Sequence, residues 1–124
     1  MATEDKGKSI SLPAYADYST TGQFRAMYLS GGKARLCGAS ARAIGILQNK
    51  PEAADAAAEV LRDGVSLAVA GGSFSADDYL TTDANGDLVE ASTGDEICAQ
   101  ALEDAVDNQV VSVLLLVQAV PNIA

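Results

Sequence analysis

The chain has 124 residues, of which 48% are hydrophobic and only 5% aromatic; it has no histidine and a formal charge of −9. That length supports one domain with its own core, and the composition builds that core from Val, Leu, Ile and Ala rather than from rings. The negative field opposes phosphate backbones, so no nucleic acid partner is expected. Without histidine there is no Ser-His-Asp or Cys-His relay and no histidine metal site.

Residues 1–21 are polar, with Ile10, Leu12, Tyr15 and Tyr18 scattered among Ser, Thr and charges. They read as an extended N-terminal arm carrying isolated apolar anchors, followed by a compact domain over 22–124. Residues 23–29 (QFRAMYL) alternate as a strand, Ser30-Gly31-Gly32-Lys33 turns, and Ala34–Cys37 returns. Ala43-Ile44-Gly45-Ile46-Leu47 is a continuous apolar run, read as a buried strand in which Gly45 lets a second backbone approach closely. Two signals compete over 49–62. Asn49 with Pro51 suits a helix start, but the stripe such a helix would bury is almost all Ala. We read 50–56 as a loop or single turn and 57–62 as a strand. Asp63-Gly64 then joins that strand to the alternating run 65–70, a hairpin signal, with Val65, Leu67 and Val69 on one face and Ser66, Ala68 and Ala70 on the other.

After Gly71-Gly72, residues 78–82 and 87–89 form a second expected hairpin around Asn85-Gly86. Thr93 and Glu96 have capping-box spacing, which favours a helix over 96–105; a strand over 96–102 competes. A weak internal repeat tips the reading to strand: Ile44-Gly45-Ile46-Leu47 leads to Glu59-Val60-Leu61 as Cys98-Ala99-Gln100-Ala101-Leu102 leads to Val111-Ser112-Val113-Leu114. Residues 110–117 (VVSVLLLV) read as a central strand. The expected fold is therefore mainly β, a small barrel or sandwich-like domain with at most one or two short helices.

Chemistry-bearing motifs are sparse. Asp77, Asp78, Asp83 and Asp87 cluster in sequence, but Gly86 stands at the fourth position of Asp83-Ala84-Asn85-Gly86, not the sixth of a calcium loop, so a hairpin turn is the simpler reading and no metal is expected. Neither Gly-Gly pair makes a nucleotide loop, so no cofactor is expected. Cys37 and Cys98 lack a CxxC and read as buried reduced thiols. No apolar run approaches the roughly 18 residues that span a bilayer. The opening MATEDKGKSIS has no apolar signal segment. A soluble protein with no membrane partner and no enzymatic activity is expected.

The early Gly-Gly turn, Ala43–Leu47, the Ala-rich linker, Val60 with Asp63-Gly64-Val65, and Ala70-Gly71-Gly72 come in a particular order. Asp78-Tyr79-Leu80-Thr81-Thr82-Asp83 with Asn85-Gly86 follows, then Ala101-Leu102-Glu103 and a terminal apolar strand. In that order the chain resembles the head-decoration, or capsid cement, proteins of tailed bacteriophages; it departs from their glycine pattern at Ala99. The resemblance implies a β-domain on the outer surface of an expanded phage head, clamping neighbouring major capsid subunits, often as a homotrimer. It implies capsid contacts at Ile10, Leu12, Tyr15 and Tyr18 in the arm and at Phe74 and Tyr79 in loops. The alternatives are another virion β-domain, a fibre base or tail component, or a small ligand-binding β-domain.

Overall fold

In the computed structural model, residues 9–39 and 41–116 are described. They form ten strands: β1 (Ser9–Pro13), β2 (Ala26–Ser30), β3 (Lys33–Leu36), β4 (Gly45–Leu47), β5 (Ala57–Leu61), β6 (Gly64–Val69), β7 (Tyr79–Thr82), β8 (Leu88–Glu90), β9 (Ala99–Ala101) and β10 (Val110–Leu115). There is no helix among the described residues. The strands make two five-stranded antiparallel sheets packed on one another, in the orders β1-β5-β4-β2-β3 and β6-β10-β9-β7-β8. The expected all-β, sandwich-like fold is what is found.

Advancing every label of the first order by five reproduces the second. The duplication extends to single hydrogen bonds. Asp55 N–H donates to Ala14 O as Asn108 N–H donates to Ala70 O, and Phe24 N–H donates to Leu47 O as Asp77 N–H donates to Ala101 O. Gln48 N–H donates to Glu59 O as Leu102 N–H donates to Ser112 O. The backbone specials repeat too: Phe24 and Asp77 have φ of 64° and 77°, Asp55 and Asn108 both 71°, and Gly32 and Gly86 81° and 79°. A bridge from Ala14 to Ala34 closes the edge of the first unit, and one from Ala70 to Leu88 does so in the second. The weak sequence repeat at 44–61 and 98–114 is thus the visible part of a duplication that spans the fold.

Two expectations change. Asp63-Gly64 does not close a hairpin, because β5 pairs with β1 and β4 whereas β6 pairs with β10. A tight primed hairpin turn of this kind needs positive φ at both central residues; here only Gly64 has it, at 92°, and the chain instead turns a corner from one sheet to the other. The segment expected as an arm is also built into the sheet over its described part. Ser9–Pro13 pairs along its length with β5, and Ala14 and Tyr18 are buried. Its SISLP alternation points Ile10 and Leu12 inward and the serines outward, as a half-buried strand requires. Residues 1–8 lie outside the described residues, as does the end of the expected strand at Val117.

The Asn85-Gly86 hairpin forms as expected, with β7 paired to β8. Asp83 Oδ1 accepts the Asn85 and Asp87 N–H groups, so one of the clustered carboxylates is occupied in shaping the turn. Residues 99–101 are strand, and β10 sits inside its sheet between β6 and β9.

The two sheets use their faces differently. The first buries both. Ala14, Met27, Leu47, Ala58 and Val60 make a small cluster with Tyr18 on one side. Ala26, Ile46 and Leu61 join the main core on the other. The three residues of β4 are accordingly all buried. The second sheet buries Ala68, Leu80, Ala101, Val111 and Val113; its other face buries Val69 and Thr81 but exposes Val65, Leu67, Tyr79 and Val110. In β6 the small face (Ser66, Ala68, Ala70) is the buried one, while Val65 and Leu67 face out at 52% and 43% exposure.

Candidate interaction surfaces

The seam between the two units combines the apolar main core, which Ala26, Cys37, Ile46 and Leu61 enter from the first unit, with a specific set of polar contacts. Arg25 Nε donates to Asp87 Oδ1 at 2.6 Å. Thr82 Oγ1 donates to Gly38 O at 2.6 Å and accepts the Ala41 N–H at 3.0 Å. Gln48 Nε2 donates to Ser66 Oγ, Ala26 N–H to Gly86 O, and Val69 N–H to Phe24 O. Gly86 suits this site through its φ of 79°, and a Cβ there would also displace the tip of the Leu36 side chain, 2.7 Å away. Burial pushes the Asp87 carboxyl above its ordinary value of 3.8 even though Arg25 pulls it down, and Asp83 and Asp107 add repulsion.

Two open clefts flank this seam. One of about 500 Å³ is bounded by Ser19, Thr20, Phe24, Lys50, Val69 and Val110. One of about 260 Å³ is bounded by Thr21, Leu36, Asn85 and Asn108 around the Arg25–Asp87 pair. The two thiols, Cys37 and Cys98, are free and buried, and burial pushes each up to about 12, so both are protonated and inert at neutral pH. No group of three or more Cys, Asp or Glu side chains among the described residues is placed to hold a metal.

The six contact candidates are not gathered on one surface. Ile10, Leu12 and Tyr18 converge on the small cluster of the first unit, with Tyr18 7% exposed and its Oη accepting the Leu36 N–H. Phe74 is 6% exposed in the main core, at the position equivalent to Tyr18. Neither ring presents a surface in the free protein. Tyr15 and Tyr79 do, at 42% and 56% exposure. The Arg35 guanidinium lies 4.1 Å from the Tyr15 ring centroid and 6.0 Å from that of Tyr28, a cation–π contact at an exposed polar-aromatic platform. Tyr79 stands on the outer face of the second sheet, which also exposes Leu102 and, across β9 and β10, Val110, Val65 and Leu67.

Charge is divided between the units as well. Every Lys and Arg of the chain precedes Asp63, and residues 64–116 carry ten carboxylates and no base. That division, and the partly exposed apolar face, were missed from the sequence, although the charge division is legible there by inspection.

No family model matches the sequence, and no curated protein does. Among solved structures, the fold is similar to the head fiber gp8.5 N base of bacteriophage phi29, with a TM-score of 0.72 at 16% identity, covering 93% of this chain and 98% of that one. At that identity the likeness is one of fold.

Proposed function

We propose that this chain is a non-enzymatic structural component of a bacteriophage virion, seated on the outside of the head as the base of a head appendage. The observation that carries the reading is the end-to-end likeness to a head-fibre base, which accounts for nearly all of both chains. The partner is the major capsid protein, and the protein acts as a homo-oligomer, a trimer being the form suggested by the decoration-protein resemblance. Of the residues expected to touch the shell, Tyr15 on its Arg35 platform is the one best placed, being exposed and in cation–π contact.

A cement role shares this location and differs in consequence. Cement binds the mature lattice better than free subunits and so stabilises the shell by mass action, whereas an appendage base need not. Quantitative mass spectrometry of purified particles tests the location: the copy number should scale with the head lattice rather than match the few copies of a tail part. Heating heads with and without the protein then separates the roles. A raised temperature of genome release means cement, and an unchanged one means an appendage base. Absence from particles overturns both.

A further inference from the structure

The seam inside the chain joins unlike surfaces. The first unit contributes Arg25, Ala26 and Gln48; the second contributes Ser66, Thr82, Gly86 and Asp87. These are not equivalent positions, so the contact is heterologous, and each unit leaves a seam surface unused. An interface of that kind propagates from copy to copy until a rotation closes it. The strand registers say which residues form the unused surfaces. Ala26 pairs with Ile46 as Tyr79 pairs with Gln100, so Arg25, Ala26 and Gln48 correspond to Asp78, Tyr79 and Leu102. Ile10 pairs with Val60 as Ser66 pairs with Val113, and Leu29 with Ala34 as Thr82 with Leu88. Ser66, Thr82, Gly86 and Asp87 therefore correspond to Ile10, Leu29, Gly32 and Lys33.

We infer that copies of this chain dock head to tail, the second unit of one copy against the first unit of the next, in the geometry of the internal seam. Three observations point to a second copy as the occupant. The first is exposure: Ala26 and Thr82 are buried at 0% and 2%, while their counterparts Tyr79 and Leu29 are apolar and open at 56% and 54%. The second is matched exchange. The Arg25–Asp87 pair becomes Asp78 facing Lys33 of the neighbour, the same ion pair with its signs reversed. The polar Gln48–Ser66 pair has no polar counterpart: Leu102 is exposed at 45%, and Ile10, packed against its own unit's small cluster, offers no hydrogen-bonding group. Tyr79, larger than Ala26, arrives beside Gly32, around which there is open space. The third is the charge division: the unit holding ten carboxylates and no base meets the unit that holds Arg25, Lys33, Arg35, Arg42, Lys50 and Arg62. Like-to-like pairing of two second units would oppose carboxylates on both sides, so the field selects the head-to-tail arrangement.

Lys33 pairs with Asp55 at 2.8 Å, and Asp78 Oδ2 accepts the Ser75 N–H; docking exchanges the exposed Lys33–Asp55 pair for the one with Asp78 of the neighbour. The inference does not depend on the phage reading, because it concerns this chain alone.

Sedimentation velocity across a concentration series tests it. The wild type should associate, more weakly as salt rises. Lys33→Glu and Asp78→Lys should each weaken association at least about tenfold by setting like charges together, and the double variant should recover most of the loss. Leu102→Gln should weaken association without touching any charge or turn, and it keeps the test valid if Asp78→Lys disturbs its loop. A wild type that stays monomeric throughout, single variants that associate normally, or a double variant no better than the singles would overturn the inference.

Discussion

Gly45 is where a single methyl group tests the account of the fold. A Cβ there would fall inside the contact distance of the Leu61 carbonyl oxygen, and 2.7 Å from Val60 Cγ1 and 2.9 Å from the Leu61 carbonyl carbon. Two of those three atoms are backbone of β5, so relief needs β4 and β5 to separate where Ile46 faces Leu61 and Leu47 faces Val60. Inserting a group into a packed core costs about 1–3 kcal/mol, and a backbone collision lies at the upper end. Gly45→Ala also restricts the unfolded chain, which returns roughly 0.5–1 kcal/mol. The net loss is about 2 kcal/mol, equivalent to a drop in Tm of roughly 6–12 °C for a domain of this size. The duplication supplies the control. Met27 pairs with Gly45 as Leu80 pairs with Ala99, and Ala99 is fully buried. Ala99→Gly should therefore also destabilise, by the smaller ~0.5–1 kcal/mol of a glycine in a strand. Calorimetric melting of the two variants should show both losses, the Gly45 one larger. A Gly45→Ala protein as stable as the wild type would refute the close approach of β4 and β5.

Thr82→Val should cost about 2 kcal/mol in urea unfolding, because it leaves the Gly38 carbonyl and the Ala41 N–H at the seam without their partner; a neutral result would mean the seam is wet. Both thiols should resist a thiol reagent in the native protein and react together on unfolding. Their folded values of about 12 lie above the ordinary 9.0, so stability should be retained below pH 9 and fall as pH climbs from there towards 12. The raised Asp87 carboxyl gives an acid-side counterpart. From 3.8 upward to its folded value the folded chain holds a proton the unfolded chain has released. The Tm of the wild type relative to Asp87→Asn should thus decline as pH rises through that window, and a relative rise would contradict burial as the dominant cause.

Local chemistry in the sequence specified local structure well. The Asn85-Gly86 hairpin, the close approach at Gly45 and the apolar β10 follow from glycine geometry and period-two patterning, which act within a few residues. Pairings between distant segments carried no such mark. β1 lies against β5 because of a core assembled from both, and SISLP alone is too short to distinguish an edge strand from an anchored tail. Asp63-Gly64 failed for a related reason: a hairpin and a corner between sheets both call for glycine at positive φ, and only long-range pairing decides between them. Phe74 read as an isolated aromatic until the duplication showed it to be the counterpart of Tyr18. The repeat at 44–61 and 98–114 was the one sequence signal of that duplication, because elsewhere the two units have exchanged residue types, as with Ile10 and Ser66 or Lys33 and Asp87.

The central claim is that this β-fold belongs on the outside of a phage head, and co-sedimentation of the purified protein with expanded and unexpanded heads from its source tests it most directly. The account predicts saturable binding to expanded heads, at a stoichiometry fixed by the capsid lattice. Failure to bind either form would contradict it.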